Sequence, residues 1–309
     1  MDTEKPDNMG TSRRGLLKCM AWAGTGIVWT VSGGVPRALG IGEALAAPTD
    51  EFTFVQISDT HIGFHLDANP NPNATMQAAL DRIAKLPKRP AMIIHTGDVS
   101  HLSKAAEFDT AEQIMKGAKL DTHYVPGEHD VIGDDGKQFF ARFAKEAKPG
   151  GWYSFDQGGV HFVAMNNVQN FEKDKAGGFG TDQLEWLEKD LKGRTAGTPI
   201  VVFTHIPMWP IYPQWGWATA DAPQALAYLK RFGSVTVLNG HIHQVVQMIE
   251  GNVSYRTAMS TAFPQPPAGD GPAPRPLKVP ADKLQGVIGI REVNIPPKKA
   301  ATVTDVTLA

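Results

Sequence analysis

Five short polar stretches carry residue types that bind metal ions and move protons: Asp59-Thr60-His61, Gly97-Asp98, Gly127-Glu128-His129-Asp130, Thr204-His205 and Gly240-His241-Ile242-His243. Each follows an apolar, β-rich run, so each falls at the end of a predicted strand. Any one of them alone is ordinary solvated loop. Together they offer Asp59, His61, Asp98, Glu128, His205, His241 and His243, an oxygen and nitrogen donor set without sulfur. Such a set suits two hard or borderline divalent ions sharing one carboxylate. Side chains two apart along an extended strand share a face, which predicts that Asp59 and His61 point to the same side. His129 and Asp130 stand beside Glu128 as a proton-transfer group and an acid to orient it.

The elements that must position these groups follow from periodicity. Phe52–Ser58, Ala91–His95 and Asp121–Val125 are strand-length apolar runs. Between them, Asn73–Leu86 and Lys104–Lys116 show helical spacing, carried by Met76, Leu80 and Ile83 in the first and Phe108, Ala111 and Met115 in the second. This alternation predicts a parallel βαβαβ unit with its acids at the carboxyl edge, where open α/β sheets bind ligands. The second half is richer in strands. Trp152–Phe155 and Val160–Met165 form a predicted hairpin in which His161 is a sheet residue, and Val245–Ile249 and Val253–Thr257 form another. Pro199–Phe203 and Val235–Leu238 are buried strands, and Val287–Ile295 and Thr302–Leu308 close the chain. Helices are expected over Thr181–Leu191, with Thr181 as N-cap, and over Pro223–Phe232. Prolines at 264, 266, 267, 272, 274, 276 and 280 exclude helix and central strand there, leaving a surface arm or a rim.

At 309 residues, 42% hydrophobic and 20% charged, the chain is ordinary globular material. No repeat or linker interrupts residues 47–309, which are expected to form one domain. A net charge of −2 with dispersed Lys and Arg excludes the basic face of a nucleic-acid groove. Residues 1–46 have a separate logic: Arg13-Arg14, an apolar stretch from Met20 to Val31, then Ala44-Leu45-Ala46. These describe a twin-arginine export signal cut after Ala46. The apolar stretch is too short and too broken to span a bilayer, which takes about 20 apolar residues. The expected partner is the twin-arginine translocase, and the expected location of the mature chain, which has no membrane span, is periplasmic or secreted. Cys19, the single cysteine, falls inside this segment, so the remainder can form no disulfide and no thiolate ligand.

In their order over residues 52–245, the five stretches resemble the calcineurin-like metallophosphoesterases, whose pattern is D-x-H, G-D, G-N-H-[DE], H and G-H-x-H. The resemblance implies an α/β fold, a four-layer α/β/β/α sandwich of two mixed sheets flanked by helices. It implies a phosphatase or phosphodiesterase that uses two divalent ions, Mn, Fe or Zn. Asp59, His61, Asp98 and His243 would hold one ion, and Asp98, Glu128, His205 and His241 the other. A hydroxide bridging ions about 3.5–4 Å apart would attack phosphorus. His129 would protonate the leaving alkoxide or bind a phosphate oxygen, and Asp130 would fix its ring. The competing class is a non-catalytic metal-binding or scaffold protein that keeps the fold. Two positions depart from the pattern. Glu128 replaces the family's Asn, and His101 stands where purple acid phosphatases carry a metal-binding tyrosine.

The substrate, a small phosphoester, is less sharply defined. His101 is a candidate substrate contact. Trp209, Tyr212, Trp215 and Trp217 follow His205 closely, as an aromatic wall for a flat group or as a loop packed on itself.

Overall fold

A computed structural model describes residues 27–32 and 35–40 in backbone, and residues 51–145, 147, 149–169, 175–297 and 300–309 with their side chains. The chain divides into two compact units, Met1–Ala47 and Pro48–Ala309. In the first, β1 (Ile27–Ser32) pairs antiparallel with β2 (Val35–Gly40). Arg13-Arg14, Cys19 and the expected cut after Ala46 lie outside the described residues.

The second unit holds two mixed sheets. In chain order its elements begin with β3 (Phe52–Ile57), α1 (Pro72–Ala84), β4 (Ile93–His95), α2 (Ala105–Lys116), β5 (Thr122–Tyr124) and α3 (Lys137–Phe143). There follow β6 (Tyr153–Gln157), β7 (Val160–Ala164), α4 (Thr181–Leu191), β8 (Ile200–Phe203), α5 (Ala222–Leu229) and β9 (Val235–Asn239). The last strands are β10 (Gln247–Glu250), β11 (Val253–Thr257), β12 (Gly289–Ile295) and β13 (Thr302–Thr307). One sheet runs β13-β12-β3-β4-β5, with β3, β4 and β5 parallel and β12 antiparallel to both its neighbours. The other runs β10-β11-β9-β8-β7-β6, with four parallel central strands and antiparallel edges.

Strand alternation builds the layers. Val55 and Ile57 of β3 pack with Met76, Leu80 and Phe108 of the helices, while Phe54 faces Phe162 and Phe203 of the other sheet. In β8, Ile200 and Val202 meet the α4 and α5 side and Val201 and Phe203 meet the opposite sheet. Strands apolar on both faces are what a helix-covered parallel sheet requires. Three cores therefore separate four layers: helices, sheet, sheet, helices. His161 is a sheet residue as expected, its ring nitrogens 3.1 Å from Asp156 and 2.7 Å from Asp190.

Two local expectations fail. Thr181 does not cap α4; it is helical, and Gly180 precedes it at φ +77. No side chain caps α4; just before it, the N–H groups of Phe179 and Gly180 donate to the Asp221 carboxylate from a distant loop. The short helix α3 went unforeseen because its seven residues span too few turns for a periodic signal, yet Phe139 on it is fully buried.

Between the sheets runs a polar seam. Arg291 on β12, 1% exposed, donates to Asp305 Oδ1 at 2.7 Å, to the Thr257 carbonyl at 2.7 Å and to Gln56 Oε1 at 3.4 Å. Gln56 in turn donates to Thr96 Oγ1 and to the Asn239 carbonyl, at 3.0 and 3.1 Å. These bonds join β3 and β12 of one sheet to β9 and β11 of the other beside the carboxyl edge. Arg291→Met would leave a carboxylate and two buried oxygens without their donor. It should lower stability by about 2–4 kcal/mol, below the full cost of orphaning a buried charge because water reaches part of Asp305. Urea unfolding with an unchanged midpoint would show that the seam does not join the sheets.

Candidate metal centre

The seven donor residues leave the carboxyl ends of β3, β4, β5, β8 and β9. Asp59 and His61 follow β3, Asp98 follows β4, and Glu128 opens a single 3-10 turn after β5. His205 follows β8, and His241 and His243 follow β9. Asp59, His61, Asp98, His241 and His243 all adopt left-handed backbone, with φ between +42 and +68. Asp59 and His61 do present donor atoms to one cluster, but strand alternation is not the cause: both are left-handed residues beyond the end of β3, not extended strand. Such conformations cost roughly 1–3 kcal/mol per non-glycine residue and persist where the surroundings enforce them. Crowding explains Gly127, because a Cβ there would collide with Asp98 Oδ1. Gly240 is equally constrained, against Ser58 Oγ and Asp59 Oδ2.

Two clusters result. Donor atoms of Asp59, His61 and His243 lie within 4.8 Å of one another, as do those of Glu128, His205 and His241. Asp98 stands between them, its Oδ2 3.5 Å from His61 Nε2 and 3.4 Å from His205 Nε2. Both Glu128 oxygens approach imidazole nitrogens, Oε2 to His205 and Oε1 to His241, each at 2.9 Å. Asp59 Oδ2, Glu128 Oε2, His205 Nε2 and both ring nitrogens of His241 are nevertheless buried without an aligned hydrogen-bond partner. Buried polar atoms are normally satisfied, and an orphan costs about 1–3 kcal/mol. Five orphans on neighbouring donor residues fit a cation, which would take their lone pairs. The outward nitrogens are already committed: His205 Nδ1 donates to the Thr96 carbonyl and His243 Nδ1 to that of Phe263, both at 2.6 Å, which leaves each Nε2 turned inward.

The carboxylates and imidazoles of the cluster shift one another's protonation. Burial alone would raise the Glu128 carboxyl, but His241 and His205 hold it well below its usual range, and His243 and His205 do the same, less strongly, for Asp59. Burial opposes the charged form of His205, yet Asp98 and Glu128 raise it well above 6.5. His61 is pushed well down by burial, with His129, His243 and His101 adding to the effect.

The chain matches the calcineurin-like phosphoesterase family over residues 52–245. It belongs to that family. It is 24% identical over 220 residues to a probable cyclic nucleotide phosphodiesterase of Ruthia magnifica subsp. Calyptogena magnifica, covering 68% of this chain and 86% of that one. It is 29% identical over 140 residues to purple acid phosphatase 15 of Arabidopsis thaliana, covering 41% of this chain and 25% of that one. The chain thus spans about a quarter of the length of that relative. A dimetal phosphatase from Danio rerio superposes with a TM-score of 0.59 at 15% identity, over 85% of this chain and 100% of that one, a likeness of fold.

Within this calcineurin-like phosphoesterase, the expected role of Asp130 is corrected. Its carboxylate accepts from the N–H groups of Val99, Ser100 and Gly127 and from Ser100 Oγ, at 2.8–3.1 Å. It ties the Asp98 loop to the Glu128 turn and does not orient the His129 ring. Burial and the nearby Asp98 push this carboxyl up to about 7, against the N–H groups that favour its ionised form. The His129 ring is held instead by His101, whose carbonyl accepts from His129 Nδ1 at 2.6 Å.

The aromatic segment divides. Trp209 is no substrate contact: it packs on Tyr255 in the core beneath α4 and α5, 5.2 Å between rings. Trp215 and Trp217 pack edge to face on each other and on Ile242, the residue between the two histidines, so they brace that loop. Both also border a cavity of about 450 Å³ over the two clusters. Lys175, Phe263, Gln265 and Arg275, none of them singled out from the sequence, line the same cavity. The proline-rich stretch after Ala262 was the signal for Phe263, Gln265 and Arg275, and it forms the rim, whereas nothing marked Lys175.

His101 also borders the cavity and serves two neighbours at once. Its ring stacks on His129, 4.9 Å between centroids, and its Nδ1 lies 3.4 Å from His61 Nδ1. Burial and His129 push His101 down to about 4, so it is neutral near pH 7. A neutral ring can accept from His61 Nδ1–H, which fixes the His61 tautomer with Nε2 toward Asp98 and His243. His101→Phe keeps the carbonyl and the stacked ring but removes that acceptor. Metal affinity at the Asp59–His61–His243 cluster should fall about 10–100-fold. His101→Gln, which restores an acceptor, should recover part of it. Competition with a metal-ion chelator measures both; wild-type affinity in His101→Phe would assign the tautomer to another partner.

Proposed function

We propose that the protein is a metal-dependent hydrolase of small phosphomonoesters or phosphodiesters. The observation that carries this reading is the convergence of donor residues from five strand ends, four of them with buried unpartnered donor atoms, on two adjoining clusters beside a cavity. Asp59, His61, Asp98 and His243 would hold one divalent ion and Asp98, Glu128, His205 and His241 the second, with Mn, Fe and Zn all compatible with oxygen and nitrogen donors. Two such ions supply Lewis acidity toward phosphoryl oxygens and a water of lowered pKa.

The remaining work falls to the chain's own groups. His129 borders the cavity with Nδ1 anchored, so its Nε2 is left for the substrate. Burial opposes its charged form, but Asp98 and Glu128 raise it above its ordinary value. That bias toward the protonated ring suits it to deliver a proton to a leaving alkoxide. Asp130 keeps the Asp98 and Glu128 loops in register through its bonds to Val99, Ser100 and Gly127.

Assay of p-nitrophenyl phosphate and bis(p-nitrophenyl) phosphate with added manganese tests the proposal. Turnover is expected, and bound metal without turnover of either ester would establish a non-catalytic scaffold instead. His129→Ala should lose about 10²–10⁴-fold on alkyl esters and far less on nitrophenyl esters, whose leaving group needs little protonation. Equal losses on the two kinds of ester would rule out the acid role.

We also propose export by the twin-arginine route, on the strength of Arg13-Arg14, the short apolar stretch and Ala44-Leu45-Ala46. Among the described residues, no helix is long and apolar enough to cross a membrane. N-terminal sequencing of the protein from fractionated producing cells should find a chain beginning at Ala47 outside the cytoplasm. Uncleaved protein confined to the cytoplasm would end this proposal.

A further inference from the structure

The family match ends at residue 245, and the proline-rich stretch that follows β11 lies beyond it. This arm is nevertheless built onto the donor cluster. The Phe263 carbonyl accepts from His243 Nδ1, and Gln265 Nε2 donates to the His241 carbonyl at 3.1 Å. Gln244 donates to the carbonyls of Gln265 and Pro266, at 3.3 and 2.6 Å, and Leu277 N–H closes the arm on the Pro264 carbonyl. The arm's far end carries Arg275, and its guanidinium is braced. Nη1 donates to the Asp270 carbonyl at 2.6 Å and Nη2 lies 3.4 Å from Asp270 Oδ2. Gly271, at φ +99, lets the guanidinium fold over the turn, since a Cβ there would lie 2.7 Å from Nη1. A proline-stiffened chain thus holds a braced arginine at the border of the cavity.

The cavity supplies one. Its volume of about 450 Å³ is that of a small-molecule site. Asp98, Glu128 and His129 form its reactive end, and Ile132, Phe263, Pro274 and Pro276 give apolar walls. Arg275 and Lys175 are the Arg and Lys side chains among the described lining residues. The carboxylates of the donor cluster face histidines, whereas the Arg275 guanidinium is paired with Asp270 on the arm itself. A guanidinium at the edge of such a site is suited to a planar anion, which it can bind through paired N–H groups.

We propose that the arm forms an anion-recognition subsite, with Arg275 as its principal group and Lys175 assisting, and that the substrate is a small phosphoester bearing a second acidic group across an apolar spacer. This rests on the hydrolase reading for the fate of the phosphoryl group, but the subsite itself is testable by binding alone. Benzylphosphonate and 4-carboxybenzylphosphonate are non-hydrolysable and differ only in a distal carboxylate. Titration calorimetry on the manganese-loaded full chain should find the carboxylated compound bound about tenfold more tightly, a modest ratio because Arg275 is half exposed. The ratio should approach one in Arg275→Gln and fall by less in Lys175→Gln. Equal affinity for the two compounds in the unaltered protein, or an undiminished ratio in both variants, overturns the subsite. Turnover of the corresponding phosphates, measured in parallel, separates the two readings. A carboxylate preference without turnover supports the subsite and removes the hydrolase, whereas turnover without preference removes the subsite alone.

Discussion

Three carboxylates, Asp59, Asp98 and Glu128, are brought within reach of four imidazoles in a place from which water is nearly excluded, and the structure around them answers that crowding of charge. Asp59 is fully buried and Asp98 is 2% exposed. Carboxylates so placed must be compensated, by protons, by hydrogen bonds or by cations. Hydrogen bonds cover only part of the need: Asp98 Oδ1 accepts from the His129 N–H and Asp59 Oδ1 from the His241 N–H. The rest falls to His205, held well above its ordinary range by Asp98 and Glu128 against its own burial. Cations bound there would compete with protons for the same nitrogen and oxygen atoms.

Holding that arrangement requires the two sheets to keep a fixed offset, because Asp59 and Asp98 come from one and His205, His241 and His243 from the other. The polar seam does this. Gln56 links β3 to the Asn239 carbonyl just ahead of Gly240, and through Thr96 Oγ1 it reaches the residue whose carbonyl orients His205. Apolar packing between Phe54, Phe162 and Phe203 holds the sheets together, but such packing tolerates sliding, whereas hydrogen bonds set register. Backbone strain at five of the seven donors is sustained by the same framework.

Glu128 changes the balance of the second cluster. A neutral amide in its place would offer one carbonyl oxygen; the carboxylate offers two, each 2.9 Å from a histidine nitrogen, and a full negative charge. Cations held there would keep less net positive charge, so phosphate would be drawn in less strongly by the metals alone.

Much of this was present in the linear sequence, since periodicity records which faces a segment buries. The apolar runs of β4 and β8 were legible as strands covered on both sides, and the polar residues after β3, β4, β8 and β9 as the ends of strands. Donor types and their order along the chain followed from the same inspection. What each donor meets depended on tertiary structure. Asp130 adjoins His129 in sequence yet bonds to the Asp98 loop, because the 3-10 turn points its carboxylate at the N–H groups of Val99 and Ser100. Trp209 and Trp217 lie in one aromatic stretch yet enter different cores. Thr181 has the chemistry of an N-cap, but Gly180 takes that position, and Asp221 from another loop holds the N–H groups leading into it. Local sequence encodes burial and turn propensity. Contacts such as those of Asp59 with His205 and His243 join distant segments and exist only once the sheets have packed.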